Sequence, residues 1–406
     1  MEKILDLYGC HSIQEWNDSH RFDPDLSEKI KNISAYLEER IASKDEAEAL
    51  FYIILGRYDG SHREGRSFIS ILYELINSDE YKLNMTKFII EESKKNKQLY
   101  ILNFIKFNIY LDLFSQASHG QATFSCTLRV LPDGIVAKFP INVTPDVIAF
   151  RFFPVLPIIE SFLEKYHREG MVGKEAELFF ADLTTRDKCI AFCSNKNDYL
   201  MPDDYFMRAH GYDYFRGYNI LPWEIRKPVA YFRGRDNGVD YYKSVANTQR
   251  FKLALLAKES SNYMDVAITA AQYGKNIEDY YKELGIFGEI EPQERIFEYK
   301  YQIDVDGVSN SWPGLFIKLL SGGVVLKVDS PEGFRQWYHN RLEPWINYVP
   351  VRADLSDLMK IIEYLQANDA HAREIGKNGR ELALSIDYKS SIEYGGLVLN
   401  NALIGV

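Results

Sequence analysis

Apolar positions change period along this chain, and the changes divide it. From Leu26 to Ile41 they recur at Leu26, Ile30, Ile33, Tyr36, Leu37 and Ile41, the spacing of one helix face. Ala47 to Leu55 and Phe68 to Ile76 repeat that spacing. Tyr100 to Phe114, with Phe104, Phe107, Tyr110 and Phe114, reads as a further aromatic helix. Residues 1–118 are therefore expected to be a helical region. From residue 119 the period shortens. Phe124 to Val130 alternates, Pro132-Asp133-Gly134 turns, and Ile135 to Phe139 returns, which predicts a β-hairpin. A helix over Phe152 to Tyr166 and short buried strands over Glu177 to Ala181 and Ile190 to Ser194 follow.

The second half alternates more regularly. An aromatic strand, Ala230-Tyr-Phe, runs into Arg233-Gly234-Arg235; a helix from Arg250 to Ala257, a strand from Met264 to Ile268 and a helix from Ile277 to Leu284 come next. The densest stretch begins with a strand over Tyr301 to Val305 and a turn at Asp306-Gly307. Ser309, Asn310 and Ser311 offer caps for a helix beginning near Pro313, and Gly322-Gly323 stops it. A strand over Val324 to Val328 then closes on Asp329-Ser330-Pro331. Trp345 to Val351 reads as an aromatic strand, and helices over 355–368, 370–386 and 388–403 finish the chain. Alternation of helix and strand predicts an α/β fold. The expected segments are 119–228, 229–375 and a helical 376–406.

Composition narrows the function class. At 46% hydrophobic and 26% charged, the 406 residues can bury large cores. A net charge of −10 excludes a general nucleic-acid binder, which needs a basic surface. The aromatic share of 14% serves core packing or stacking against sugars. Four cysteines, Cys10, Cys126, Cys189 and Cys193, are too few and scattered for a disulfide framework. No His stands at ligand spacing beside them, so no metal is expected. The first residues lack a signal-peptide pattern, and no apolar run approaches the ~20 residues of a membrane span. The expected setting is cytoplasmic or the inner face of the membrane. Lys94-Lys95-Asn96-Lys97 beside the aromatic segment offers a peripheral membrane contact, against the plainer reading of a solvated helix start.

Candidate chemistry gathers where strands end. In open parallel sheets ligands sit beyond the carboxyl ends of strands, and helix N-termini attract phosphate. Arg233 and Arg235 flank a glycine, and guanidinium forks match phosphate oxygens. Arg250 opens the following helix and either returns to that pocket or faces solvent. Asp306, Gly307 and Ser311 form a second phosphate seat, and Lys327, Asp329 and Ser330 end the next strand. Asp182 stands at the end of a first-half strand, placed as a general base or as a cap for the turn at Thr184 or Thr185; Asp187 is the second candidate. No GxxxxGK[ST] loop is present, which counts against a P-loop kinase.

Ala230-Tyr-Phe-Arg-Gly-Arg, Tyr299-Lys-Tyr-Gln-Ile-Asp-Val-Asp-Gly, Ser321-Gly-Gly-Val-Val-Leu-Lys-Val-Asp-Ser, Leu342-Glu-Pro-Trp-Ile-Asn-Tyr-Val-Pro-Val and Asp354-Leu-Ser-Asp-Leu, in this order, resemble glycosyltransferase family 90. The resemblance spans about residues 120–390. It implies a GT-B-like architecture, two Rossmann-like domains facing a cleft, here with an N-terminal helical extension. It also implies a UDP-sugar donor, inversion at the anomeric carbon, no metal and no cofactor. By the same resemblance Arg233 and Arg235 take the place of the phosphate-binding loop, and Asp182 or Asp187 that of the catalytic aspartate. Pro313 stands where eukaryotic members carry an arginine, leaving Lys318, Lys327 or Arg250 to supply that charge. The expected acceptor is a glycan or glycolipid such as bacterial lipopolysaccharide core. A protein hydroxyl is the alternative, and a degenerate UDP-sugar-binding scaffold a third reading.

Overall fold

The computed structural model describes residues 78–405, apart from 97–99, 104–106, 114–123, 141, 185–186, 197–198, 239–243 and 273–274. The helices expected over 26–41, 47–55 and 68–76 lie outside the described residues. The chain divides into two compact units, one of residues up to Leu156 with Leu163–Phe180, the other of Pro157–Phe162 with Ala181 onward.

The first unit holds α1 (Asp79–Asn96), β1 (Tyr100–Asn103), β2 (Asn108–Asp112), β3 (Ser125–Leu131), β4 (Gly134–Lys138), the two ends of α2 (Leu156–Tyr166) and β5 (Glu175–Phe179). Its strands lie in the order β1-β2-β4-β3-β5. β2 and β4 run parallel, whereas β1–β2, β3–β4 and β3–β5 are antiparallel, so this sheet is mixed. The predicted hairpin is β3–β4, with Val130 opposite Ile135. The aromatic segment 100–114 departs from the helix its spacing predicts: it carries β1 and β2 as an antiparallel pair. Ile109 and Leu111 are fully buried while Asn108, Tyr110 and Asp112 are half-buried. That two-residue alternation prevails because β1 and β4 supply backbone partners on both sides of β2. Aromatics fill the core beside it, Phe139 and Phe180 both meeting Phe152 edge-on at 5.1 and 6.3 Å.

The second unit is a parallel α/β fold. After β6 (Ile190–Ala191) and β7 (Cys193–Ser194) come β8 (Lys227–Arg235), α3 (Gln249–Glu259), β9 (Met264–Ala270), α4 (Lys275–Glu283), β10 (Tyr299–Asp304), α5 (Pro313–Leu320) and β11 (Val324–Val328). Then follow β12 (Arg335–Gln336), β13 (Val349–Val351), α6 (Leu358–Ala367), α7 (Asp369–Ser385) and α8 (Tyr388–Ile404). The main sheet has the order β13-β11-β10-β8-β9, every pair parallel. Counted from its first strand this is the doubly wound order 2-1-3-4-5, whose switch point lies between β8 and β10. All five residues of β11 are buried, as expected of a strand covered on both faces. One core cluster joins Ala230, Tyr301, Leu326 and Val349 to Leu253 of α3, Ile362 of α6 and Ile375 of α7. The strand expected over 345–351 is confined to Val349–Val351, because Trp345 has φ 63° and turns the chain.

Helix α7 crosses the start of β11 closely. A Cβ at Gly376 would lie 2.6 Å from the Gly322 carbonyl oxygen. An alanine in a helix interior ordinarily gains about 1 kcal/mol over glycine. Gly376→Ala is instead expected to destabilise the protein by about 1–3 kcal/mol through overpacking, read as a lower midpoint of urea unfolding.

Candidate functional site

The switch point is built by one buried guanidinium. Thr248 caps α3 by accepting from the Phe251 N–H at 3.3 Å, which sets Arg250 in the first turn, next to the ends of β8 and β10. Arg250 Nη1 donates to the Arg235 carbonyl at 3.0 Å and to Asn237 Oδ1 at 2.6 Å. Its Nη2 donates to the Val305 carbonyl at 3.0 Å and its Nε to the Asp306 carbonyl at 3.1 Å. Burial lowers its pKa, yet it stays charged. Gly307 completes this corner: a Cβ there would stand 3.2 Å from Asn237 Oδ1 and 3.4 Å from Arg250 Nη2.

A buried ion network lies beneath. Asp304, fully buried at the end of β10, accepts from Lys318 Nζ at 2.7 Å and from Lys327 Nζ at 3.3 Å. Lys327 also donates to Asp306 Oδ1 at 3.0 Å. Burial alone would raise the Asp304 pKa, but the two ammonium groups hold it well below the usual range. The second carboxylate, Asp306, is pushed up by burial against the pull of Lys327. His339 is lowered to about 3 by desolvation and remains neutral.

The sequence candidates fall into distinct places. Arg250, Asp306, Gly307 and Lys327 converge on the switch point, and Ser330 follows β11, accepting from the Phe334 N–H at 3.2 Å. Ser311 accepts from the Leu315 N–H at 3.1 Å at the start of α5. Just before it, Trp312 has φ 52° and ψ −115°, a conformation rare for non-glycine residues. Arg235 and Asp329 are exposed. Arg233 lies inside β8 rather than in a loop, and β9 engages it. Its Nη2 donates to Asp265 Oδ1 at 2.6 Å, and its Nε stands 3.6 Å from Glu291. Asp182 is half-buried, and its carbonyl accepts from the Cys193 thiol at 2.9 Å; the same thiol reaches Ser309 Oγ at 3.4 Å. Asp182 is therefore one side chain away from the turn preceding α5. Burial pushes the Cys193 thiol up to about 12, so it serves as a hydrogen-bonding spacer and not a nucleophile. Asp187 is exposed on a turn.

A cavity of about 210 Å³ opens beside these groups. β8 and β10 pair no further than Tyr231 with Gln302, and the cavity is lined by the residues just beyond, Phe232 and Arg233, with Thr269, Glu291, Gly314 and Lys318. The 290–298 segment is tied to the sheet by Tyr231, whose hydroxyl donates to Glu291 Oε2 at 2.6 Å, and by Gln302 Nε2, which donates to the Ile296 carbonyl at 2.5 Å. Sequence patterning did not single out Asn237, Asp304 or Glu291. Asp304 had a usable signal, an acid set between the apolar Ile303 and Val305 at a strand end. Among the described residues, no group of three or more His, Cys, Asp or Glu stands together as a metal site.

The ion network is expected to carry stability. Asp304→Asn leaves two buried ammonium groups short of a partner and should cost about 3–5 kcal/mol at pH 7 in urea unfolding. Because the folded-state pKa of Asp304 is depressed, its contribution is present above the unfolded-state value and lost as pH falls. The gap between variant and wild type should therefore narrow below about pH 4.

The sequence profile of the glycosyl transferase family 90 matches residues 212–400, which include the switch point, the ion network and the cavity. Human protein O-glucosyltransferase 3 is 33% identical over 164 residues, 40% of this chain and 29% of that protein. Zebrafish (Danio rerio) protein O-glucosyltransferase 2 is 31% identical over 172 residues, 41% of this chain and 31% of that protein. The chain thus spans about three tenths of the length of these relatives. Among solved structures, sucrose-phosphate synthase from Thermosynechococcus elongatus aligns with a TM-score of 0.34 and 15% identity, over 62% of this chain and 57% of that one. Residues 212–400 of this chain thus carry the profile of glycosyl transferase family 90.

Proposed function

We propose that this protein is an inverting glycosyltransferase that moves a sugar from a UDP-sugar to an acceptor hydroxyl without a catalytic metal. The observation that carries the proposal is the switch point itself. Arg250 and Gly307 shape the ends of β8 and β10, the Lys318–Asp304–Lys327 network lies below, and the cavity opens alongside, all within the family segment. In this proposal Asp182 takes the proton from the acceptor hydroxyl. The acceptor oxygen attacks the anomeric carbon from the face opposite the diphosphate. The bond from that carbon to the diphosphate oxygen breaks, and its electron pair leaves with UDP. Protein cations and the amides at the start of α5 stabilise the charge that grows there.

For the acceptor we favour a protein hydroxyl over the lipopolysaccharide core, because curated relatives are named as protein O-glucosyltransferases. The same names favour glucose as the transferred sugar. A cytoplasmic setting remains part of the proposal, supported by the three cysteines among the described residues, Cys126, Cys189 and Cys193, forming no disulfide. Peripheral membrane contact through residues 94–97 is retained from the sequence alone.

Purified protein should release UDP from UDP-glucose, UDP-galactose or UDP-xylose in the presence of a hydroxyl acceptor. Absence of release with all three would remove the donor assignment. Chelation by EDTA should leave the rate unchanged, and a strict manganese requirement would contradict the metal-free step. Asp182→Asn should lower turnover by about 10²–10⁴-fold while leaving the UDP dissociation constant unchanged. Activity retained in that variant would transfer the base role to Asp187.

A further inference from the structure

Three buried or half-buried cations lie at or near the switch point, and the structure separates their roles. Arg250 has all three of its nitrogens occupied by backbone carbonyls and Asn237. Lys327 is shared between two carboxylates. Lys318 donates to Asp304, which uses one of the three N–H groups of an ammonium. Lys318 also lines the cavity, which Arg250 and Lys327 do not. The other cavity cation, Arg233, is engaged by Asp265 and lies near Glu291.

The neighbour of Lys318 matters equally. Gly314 lies one helical turn before it, on the same side of α5. A Cβ on Gly314 would stand 3.4 Å from Lys318 Nζ. Glycine here leaves the space over the first turn open, so that a ligand atom can approach the ammonium and the helix start together. Phe232 covers the other side, with its ring centre 5.9 Å from the ammonium. The side chain of Lys318 is only 12% exposed, so an anion reaching it meets a poorly screened charge. Asp304 keeps Lys327 when Lys318 turns toward a ligand.

Resting on the donor reading above, we infer that Lys318, with the space left by Gly314, is the cation that holds the diphosphate of the donor in the cavity. It stands five residues after Pro313 and reaches back one turn. The charge at the helix start therefore comes from within α5 and not from its first residues.

Calorimetric titration with UDP and with uridine tests this. Wild type is expected to bind UDP more tightly than uridine. Lys318→Gln should weaken UDP by about 10–100-fold, the worth of one charge-assisted hydrogen bond, and leave uridine unchanged. Lys318→Arg should retain most of the UDP affinity. Gly314→Ala, which keeps the Asp304 pair and adds a good helix former, should also weaken UDP selectively. The inference is overturned if Lys318→Gln and Gly314→Ala bind UDP as wild type does, or if UDP and uridine weaken together. UDP binding that persists in both variants leaves the donor reading standing, whereas a wild type that binds no UDP removes both.

Discussion

A carboxylate with no access to water governs the second unit. Asp304 closes β10, and its two ammonium partners come from α5 and β11, the elements that follow it in the chain. Three consecutive elements are thus fixed to one point by charge as well as by packing. The arrangement is costly unless every partner is present, because an ammonium group stripped of water and left alone is far less stable than one in solution. It also fixes where the chain leaves β10. Asp306 and Gly307 then stand in reach of Arg250, and the guanidinium joins the β8 and β10 exits. Geometry at the candidate site is therefore a product of the core beneath it and not of the loops alone.

Much of this was legible from patterning. The four apolar residues of β11, the stop at Gly322-Gly323 and the helix beginning at Pro313 are all local signals, and each element lies where they put it. The β3–β4 hairpin followed from alternation around a Pro-Asp-Gly turn. What escaped depended on distant partners. Segment 100–114 has aromatics at helical spacing, yet β1 and β4 pull β2 into a sheet. Trp345 looks like a strand residue, but its positive φ breaks the run.

The arginines show the same limit more sharply. Arg-Gly-Arg reads as a loop because glycine sits poorly in strands. Here β8 extends through Arg235, since β9 pairs along it to Ala270. Arg233 then faces Asp265 on that neighbour, a relation that no local pattern contains. Conversely, Arg250 could have pointed anywhere from the sequence alone. Its role became visible only once Asn237, Val305 and Asp306 were placed around it.

The strand order carries a consequence for how the second unit is made. β8 is the first main-sheet strand to leave the ribosome, and it lies next to the sheet edge with β9 as its outer neighbour. β10, β11 and β13 then add one after another on the other side. After β9 has paired, one of the two sheet edges is always the one that the next strand will cover. Parallel strands fold slowly because their partners are far apart in the chain. An order of addition that matches the order of synthesis confines growth to one front of the sheet and shortens the time its newest edge, a place where strand-to-strand aggregation can begin, stays uncovered.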